Sequence, residues 1–164
     1  MRSRWLIAVA LGGVAAVAST ASTASTAQSL NNTVTPGKPM SGPVRLSFEN
    51  AYLSYETSGP RAGQYRASVS KSRPATVFIK NLKAPASVVC DLSWAESSGT
   101  KTFHVREFHG PALASTGKSH EIKIAPSENL EFIADPDPAG DYAYEIEFAI
   151  GVAQKFYSCR VSTL

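Results

Sequence analysis

His104, Glu107 and His109 form the one tight histidine–acid group in the chain, and with His120 they offer the three ligands a catalytic zinc usually needs. On a strand, residues 104 and 109 differ by an odd number and face opposite sides, so they would meet only across a strand end or a bulge. His120-Glu121 opens like the metal-binding His-Glu-x-x-His helix, but the second histidine is missing and the local pattern is that of a strand. These side chains therefore read as surface histidines, and no metal centre is assigned to them. Asp135, Asp137 and Asp141 place three carboxylates in seven residues, a set of hard oxygen donors of the kind calcium takes. The terminal glutamate of a helix-loop-helix calcium site is absent, and Asp-Pro-Asp-Pro is also ordinary turn chemistry, so the preferred reading is a solvated loop without a cofactor. Glu145 and Glu147 lie two apart, on one face of a strand. Paired carboxylates can hydrolyse glycosides only across a cleft, at separations of about 5 to 9 Å. No Gly-x-Ser-x-Gly elbow and no lysine-bearing phosphate loop occurs.

With no catalytic set expected, binding falls to aromatic and ring side chains. Tyr52, Tyr55, Tyr65, Phe108 and Tyr157 include rings that would face outward, where they can stack on sugars or anchor a protein. Phe108, His104, His109 and Tyr157 are the named binding candidates.

The segments that must position these groups alternate with a period of two. Val44, Leu46 and Phe48 share one face, and Leu53 and Tyr55 continue on the opposite parity, which predicts a bulge or tight turn at 49–51. Tyr65, Ala67 and Val69 form another set. Val77 and Ile79 then face one way, and Phe78 and Leu82 the other. Ala86, Val88, Cys90, Leu92 and Trp94 point one way, with polar partners between them. Residues 102–108 resume as a strand, 110–117 read as a loop, and Ile122 with Ile124, then Leu130 with Phe132, mark two more strands. Tyr142, Tyr144, Ile146, Phe148 and Ile150 give the longest alternation, and Tyr157, Cys159 and Val161 close the chain. About nine short strands without an amphipathic helix predict an all-β fold, an antiparallel two-sheet sandwich of immunoglobulin-like or jelly-roll-like type. A closed barrel is the alternative architecture.

Tyr157-Ser158-Cys159 resembles the Tyr-x-Cys of an immunoglobulin strand, with Trp94 close to Cys90. The Cys90–Trp94 spacing is far shorter than in antibody domains and only five residues follow Cys159, so the resemblance implies sandwich architecture rather than membership.

At the N-terminus, Arg2 and Arg4 precede an apolar run from Trp5 to Ala18 and a Ser-Thr-Ala repeat, the layout of a secretory signal peptide. A 14-residue helix would be about 21 Å long, short of a hydrocarbon core of about 30 Å. Residues 1–27 are thus expected to be removed, leaving no membrane span, with 28–43 as a flexible leader and 44–164 as one domain. Export to the periplasm or exterior would oxidise Cys90 and Cys159 to one bridge, joining either the two sheets or two neighbouring strands. Loss of Arg2 and Arg4 from 16 basic and 13 acidic residues leaves 14 against 13, which removes the electrostatic case for nucleic-acid binding. The remaining charge is uneven. Residues 45–83 hold seven basic and two acidic side chains, and 128–147 hold seven acidic and no basic ones, a contrast that neighbouring strands are expected to balance.

The sequence thus reads as an exported, non-enzymatic β-sandwich that binds a protein or glycan at the cell envelope or exterior, its oligomeric state left open. Two alternatives remain. One is a small secreted hydrolase using carboxylates of the 135–147 region. The other is a surface-assembly subunit similar to pilus subunits, whose leader would complete a neighbour's sheet.

Overall fold

The computed structural model describes residues 29–38, 42–49, 51–69, 74–148 and 153–164; the expected signal segment lies outside them. The described residues form eleven strands: β1 (Asn31–Val34), β2 (Val44–Phe48), β3 (Tyr52–Tyr55), β4 (Tyr65–Val69), β5 (Ala75–Leu82), β6 (Ala86–Ser93), β7 (Lys101–His109), β8 (Ala114–Ile124), β9 (Leu130–Ala134), β10 (Gly140–Glu147) and β11 (Gln154–Thr163). They make two sheets with antiparallel pairing throughout. The first runs β3-β4-β11-β6-β9 with β1 also on β11, and the second runs β2-β5-β10-β7-β8. The fold is the expected two-sheet sandwich.

Alternation decides which side chains meet between the layers. Val77, Ile79, Phe103, Val105, Tyr144 and Ile146 of the second sheet and Ala67, Val88, Cys90, Leu92, Phe156 and Val161 of the first are fully buried or nearly so. Burying each large apolar side chain is worth about 1.5–3 kcal/mol. Rings bridge the layers: Phe48 meets Phe156 at 5.2 Å and Phe132 meets Tyr144 at 5.1 Å between centroids. Cys90 and Cys159 are register partners on β6 and β11 and form the disulfide, so the bridge joins neighbouring strands inside one sheet.

Three expectations need correction. The leader is not uniformly flexible, because Asn31–Val34 pairs with Ser162 back to Cys159 of its own chain. Two hydrogen bonds hold it there: the Leu30 N–H donates to the Thr163 side-chain Oγ1 (2.6 Å) and the Thr163 N–H to the Leu30 carbonyl (3.0 Å). The change of parity after Phe48 is not a bulge within one strand; β2 lies in the second sheet and β3 in the first, so the chain changes layer there. Finally, β8 starts at Ala114, inside the expected 110–117 loop. It is an edge strand whose first residues are exposed and polar, so no buried face marks it in the sequence.

The start of β10 shows how tightly the strand ends pack. A β-carbon at Gly140 would stand 2.7 Å from Nε2 of His109, whose ring lies 4.7 Å from that of Tyr142. Gly140→Ala is expected to cost about 1–3 kcal/mol by overpacking. Urea unfolding should show a lower midpoint with an unchanged slope, recovered only in part in the Gly140→Ala/His109→Ala double variant, because the backbone φ of 159° at residue 140 still disfavours a β-carbon. An unmoved midpoint in the single variant would contradict the contact.

Candidate functional site

Two strands share one edge of β11. β4 pairs with Gln154–Phe156, and β1 pairs with Cys159–Ser162. Between them, Tyr157 and Ser158 have no strand on that edge among the described residues, and the register against β6 shifts at the same place. A break in a sheet edge leaves space. Here it opens into a groove of about 530 Å³, bounded by Thr33 of β1, the following turn with Lys38, the β3–β4 hairpin, and Asp91, Tyr157 and Ser158 of the sheet.

The hairpin forms one wall. Its loop closes with the Glu56 N–H on the Gln64 carbonyl (2.9 Å) and the Gly63 N–H on the Glu56 carbonyl (2.8 Å). Gly59 and Gly63 adopt positive φ there, which only glycine takes without cost. The loop is then clamped to the outer surface of the first sheet. Arg61 pairs with Asp91 through both terminal guanidinium nitrogens, Nη2 at 2.7 Å, and its guanidinium lies 3.9 Å from the centre of the Tyr157 ring. The hydrogen bond to Asp91 is the main cause that holds Arg61 above its ordinary pKa, against the opposing effect of burial. Glu56 accepts from the Tyr157 O–H (3.2 Å) and pairs with Arg66 (3.1 Å) and Lys155 (3.5 Å). A fork of planar, charge-assisted contacts of this kind fixes geometry as well as charge.

That clamp presents two tyrosines. Tyr55 and Tyr65 are register partners on β3 and β4, their rings edge to face at 5.0 Å, and 51% and 45% exposed. Gly37, in the turn after β1, packs against Tyr65: a β-carbon there would sit 3.4 Å from its ring. The groove therefore combines half-exposed aromatic faces with the Gln64 amide, the Lys38 ammonium and the hydroxyls of Thr33 and Ser158. Apolar ring faces surrounded by convergent donors and acceptors suit a ligand that has apolar C–H faces and many hydroxyls.

The residues singled out in the sequence are dispersed. Tyr157 reaches the groove but is buried under Arg61, where it supports the wall rather than offering a free ring. His104 and Phe108 lie on the outer face of the second sheet with Arg106 between them, and His104 is exposed. His109 points to the other side, as its parity requires, with Nε2 buried and no hydrogen-bond partner. Glu107 is buried at 3% exposure and accepts from the Tyr144 O–H at 3.3 Å, while Lys118 stands 3.7 Å away. His120 stacks on Phe132 at 6.0 Å. Asp135 and Asp137 are exposed, and Asp141 accepts from the Asn81 N–H at 2.8 Å. Among the described residues no three histidine, cysteine, aspartate or glutamate side chains gather as metal ligands would. Glu145 is engaged by Arg106 at 2.9 Å on the outer sheet face.

Lys38, Gln64 and Arg61 were not singled out in the sequence. Two tyrosines placed on either side of Ser58-Gly59-Pro60 were the available signal, since a hairpin about that turn sets them opposite each other.

No protein-family model matches the sequence, and no curated protein matches it either. Solved structures with similar backbones exist. The module described in "CBM4 structure and function" has a TM-score of 0.45 at 11% identity, over 70% of this chain and 78% of that one. The CBM22-1–GH10 modules of Clostridium thermocellum endo-1,4-β-D-xylanase 10B, complexed with xylohexaose, give 0.49 at 14%, over 73% of this chain and 26% of that one. CsCBM6-3 from Clostridium stercorarium, in complex with cellobiose, gives 0.44 at 10%, over 81% and 94%. They share part of this chain's backbone course and little of its sequence.

Proposed function

We propose that the chain is an exported, non-catalytic glycan-binding module that holds a short run of sugar residues in the groove between β1 and the β3–β4 hairpin. The observation that carries this reading is the Tyr55–Tyr65 pair, cross-strand, half-exposed and set on the rim of a groove whose other walls are polar. Sugars offer apolar faces to rings and hydroxyls to amides and hydroxyls, which is the combination available here. Export is supported by the basic–apolar–small layout of residues 2–27 and by the disulfide, which persists in oxidising compartments.

Calorimetric titration of the mature domain with xylohexaose, cellohexaose and mannohexaose tests the proposal. At least one should bind, and Tyr55→Ala and Tyr65→Ala should each weaken it about tenfold, equivalent to about 1.4 kcal/mol. Their thermal midpoints should fall by no more than a few degrees, because both rings are half-exposed. Absence of binding across the three sugars, or binding indifferent to both tyrosines, would overturn it.

A further inference from the structure

The excess of basic residues over 45–83 has only partly been neutralised. Arg61 and Arg66 pair with Asp91 and Glu56 on the first sheet. Among the described residues the acidic stretch that was expected to balance the others makes no ion pair with Arg45 or Lys80. On β10, Glu145 stands in register with Thr76 on one side and Arg106 on the other, and it pairs with Arg106. Asp141 turns to the Asn81 N–H. Arg45 and Lys80 are left without an ion-pair partner among the described residues.

Both line one depression of about 220 Å³ on the outer face of the second sheet, with Phe78 between them and Tyr142 and Asp141 at its β10 side. Arg45 and Phe78 are register partners, and the guanidinium stands 5.9 Å from the ring centre. The row continues across the sheet through Ala143 to Phe108, so Phe78 lies in an apolar strip. Pro111 and Leu113, from the β7–β8 turn, form the far lip. Leu113 adopts φ 49° and Asn81 φ 55°, the only non-glycine residues at positive φ among those described, and both adjoin this depression. Left-handed backbone in a leucine costs on the order of 1 kcal/mol, and such strain gathers at ligand sites.

We infer that this depression is a second sugar subsite, one that takes a carboxylate-bearing ring such as a uronic acid. Phe78 supplies the face for the ring, and Arg45 supplies a planar fork that matches a carboxylate. Lys80 adds a second positive charge, and Asp141 is an acceptor for a sugar hydroxyl. Two cations against one carboxylate leave the lining net positive. The space falls below the roughly 300 Å³ of sites for larger ligands, which limits the occupant to about one ring. The subsite stands on the opposite sheet from the tyrosine groove and does not depend on it.

Titration of the mature domain with trigalacturonic acid, galactotriose and poly-L-glutamate tests the assignment. Trigalacturonic acid should bind, more weakly as salt rises. Arg45→Ala and Lys80→Ala should each weaken it about tenfold and Phe78→Ala by a similar factor, while Tyr55→Ala leaves this affinity within twofold. Arg45→Lys should recover only part of the loss. Because Arg45 and Lys80 are exposed, their variants should keep the wild-type thermal midpoint. Equal binding of poly-L-glutamate would mean a response to charge alone and overturn the assignment. So would galactotriose binding that is equally sensitive to Arg45, or trigalacturonic acid binding lost in Tyr55→Ala but kept in Arg45→Ala. A domain that binds neutral hexaoses but not trigalacturonic acid would refute this subsite and leave the groove standing.

Discussion

Replacing Cys90 and Cys159 together with alanine is expected to cost about 4 kcal/mol of stability and lower the thermal midpoint by roughly 10–20 °C. The bridge closes a loop of 69 residues of sequence separation, which encloses β7 through β10 and so ties the first sheet around most of the second. Removing it restores that loop's freedom to the unfolded chain, by about 4 kcal/mol in the chain-entropy model. Both half-cystines are fully buried between Leu92 and Val88 on one strand and Phe156 and Val161 on the other, so truncation also removes packing. The same burial makes a second outcome specific. A thiol reagent cannot reach the sulfurs in the native state, so reduction at moderate temperature should proceed only as fast as the domain unfolds. Differential scanning calorimetry with and without reductant, with mass spectrometry for free thiols, checks both parts. Two free thiols in the exported protein, or a midpoint unaffected by the double substitution, would remove the bridge from the stability account.

How far the sequence reveals this molecule depends on whether a segment has a buried side. β6 and β10 each place a run of alternating apolar residues into the core, and their faces follow from parity alone; in β11 the register shift at 156–158 turns Tyr157 outward under Arg61, away from the face it was expected to share with Cys159 and Val161. β1 has no such run. Asn-Asn-Thr-Val is held by the open edge of β11 and by bonds between Leu30 and Thr163, partners 133 residues apart that no local pattern reports. The crossing from β2 to β3 resets the alternation in the same way a bulge would, so parity alone could not separate the two. The site follows the same division. That some aromatic rings would face outward was legible, but which ones stay exposed depends on the gap between β4 and β1 and on the Arg61–Asp91 clamp. Both are products of long-range pairing. The charge contrast was legible as well. Its neutralisation was not, because strand order puts Arg106 on one side of Glu145 and the uncharged Thr76, rather than a basic residue of the 45–83 stretch, on the other.

Alkaline pH should unfold the domain through two tyrosines at the centre of β10. Tyr144 is fully buried, and desolvation raises its pKa far above the ordinary tyrosine value; the charge of Glu107 and the hydrogen bond to it act in the same direction. Tyr142 is raised as well, first by desolvation and then by the charge of Glu107; it donates its own O–H to the Pro138 carbonyl at 2.6 Å. In the unfolded chain both ionise near pH 10. Above that pH the unfolded state therefore holds fewer protons than the native state, and stability falls as pH rises. The contribution is fully present below pH 10; above it Tyr144 removes about 1.4 kcal/mol per pH unit, and Tyr142 adds a smaller loss of the same sign as pH rises through its own raised value. Against a total of roughly 5–15 kcal/mol, two pH units already remove a substantial part. Urea unfolding from pH 8 to 12 should show this decline, and phenolate absorbance should show one group, Tyr144, that ionises only on unfolding. Tyr144→Phe separates the cause from general alkaline damage. It leaves Glu107 short of a donor and should lose about 1–3 kcal/mol at pH 8, yet decline clearly less steeply above pH 10. A variant as steep as wild type would locate the alkaline sensitivity elsewhere.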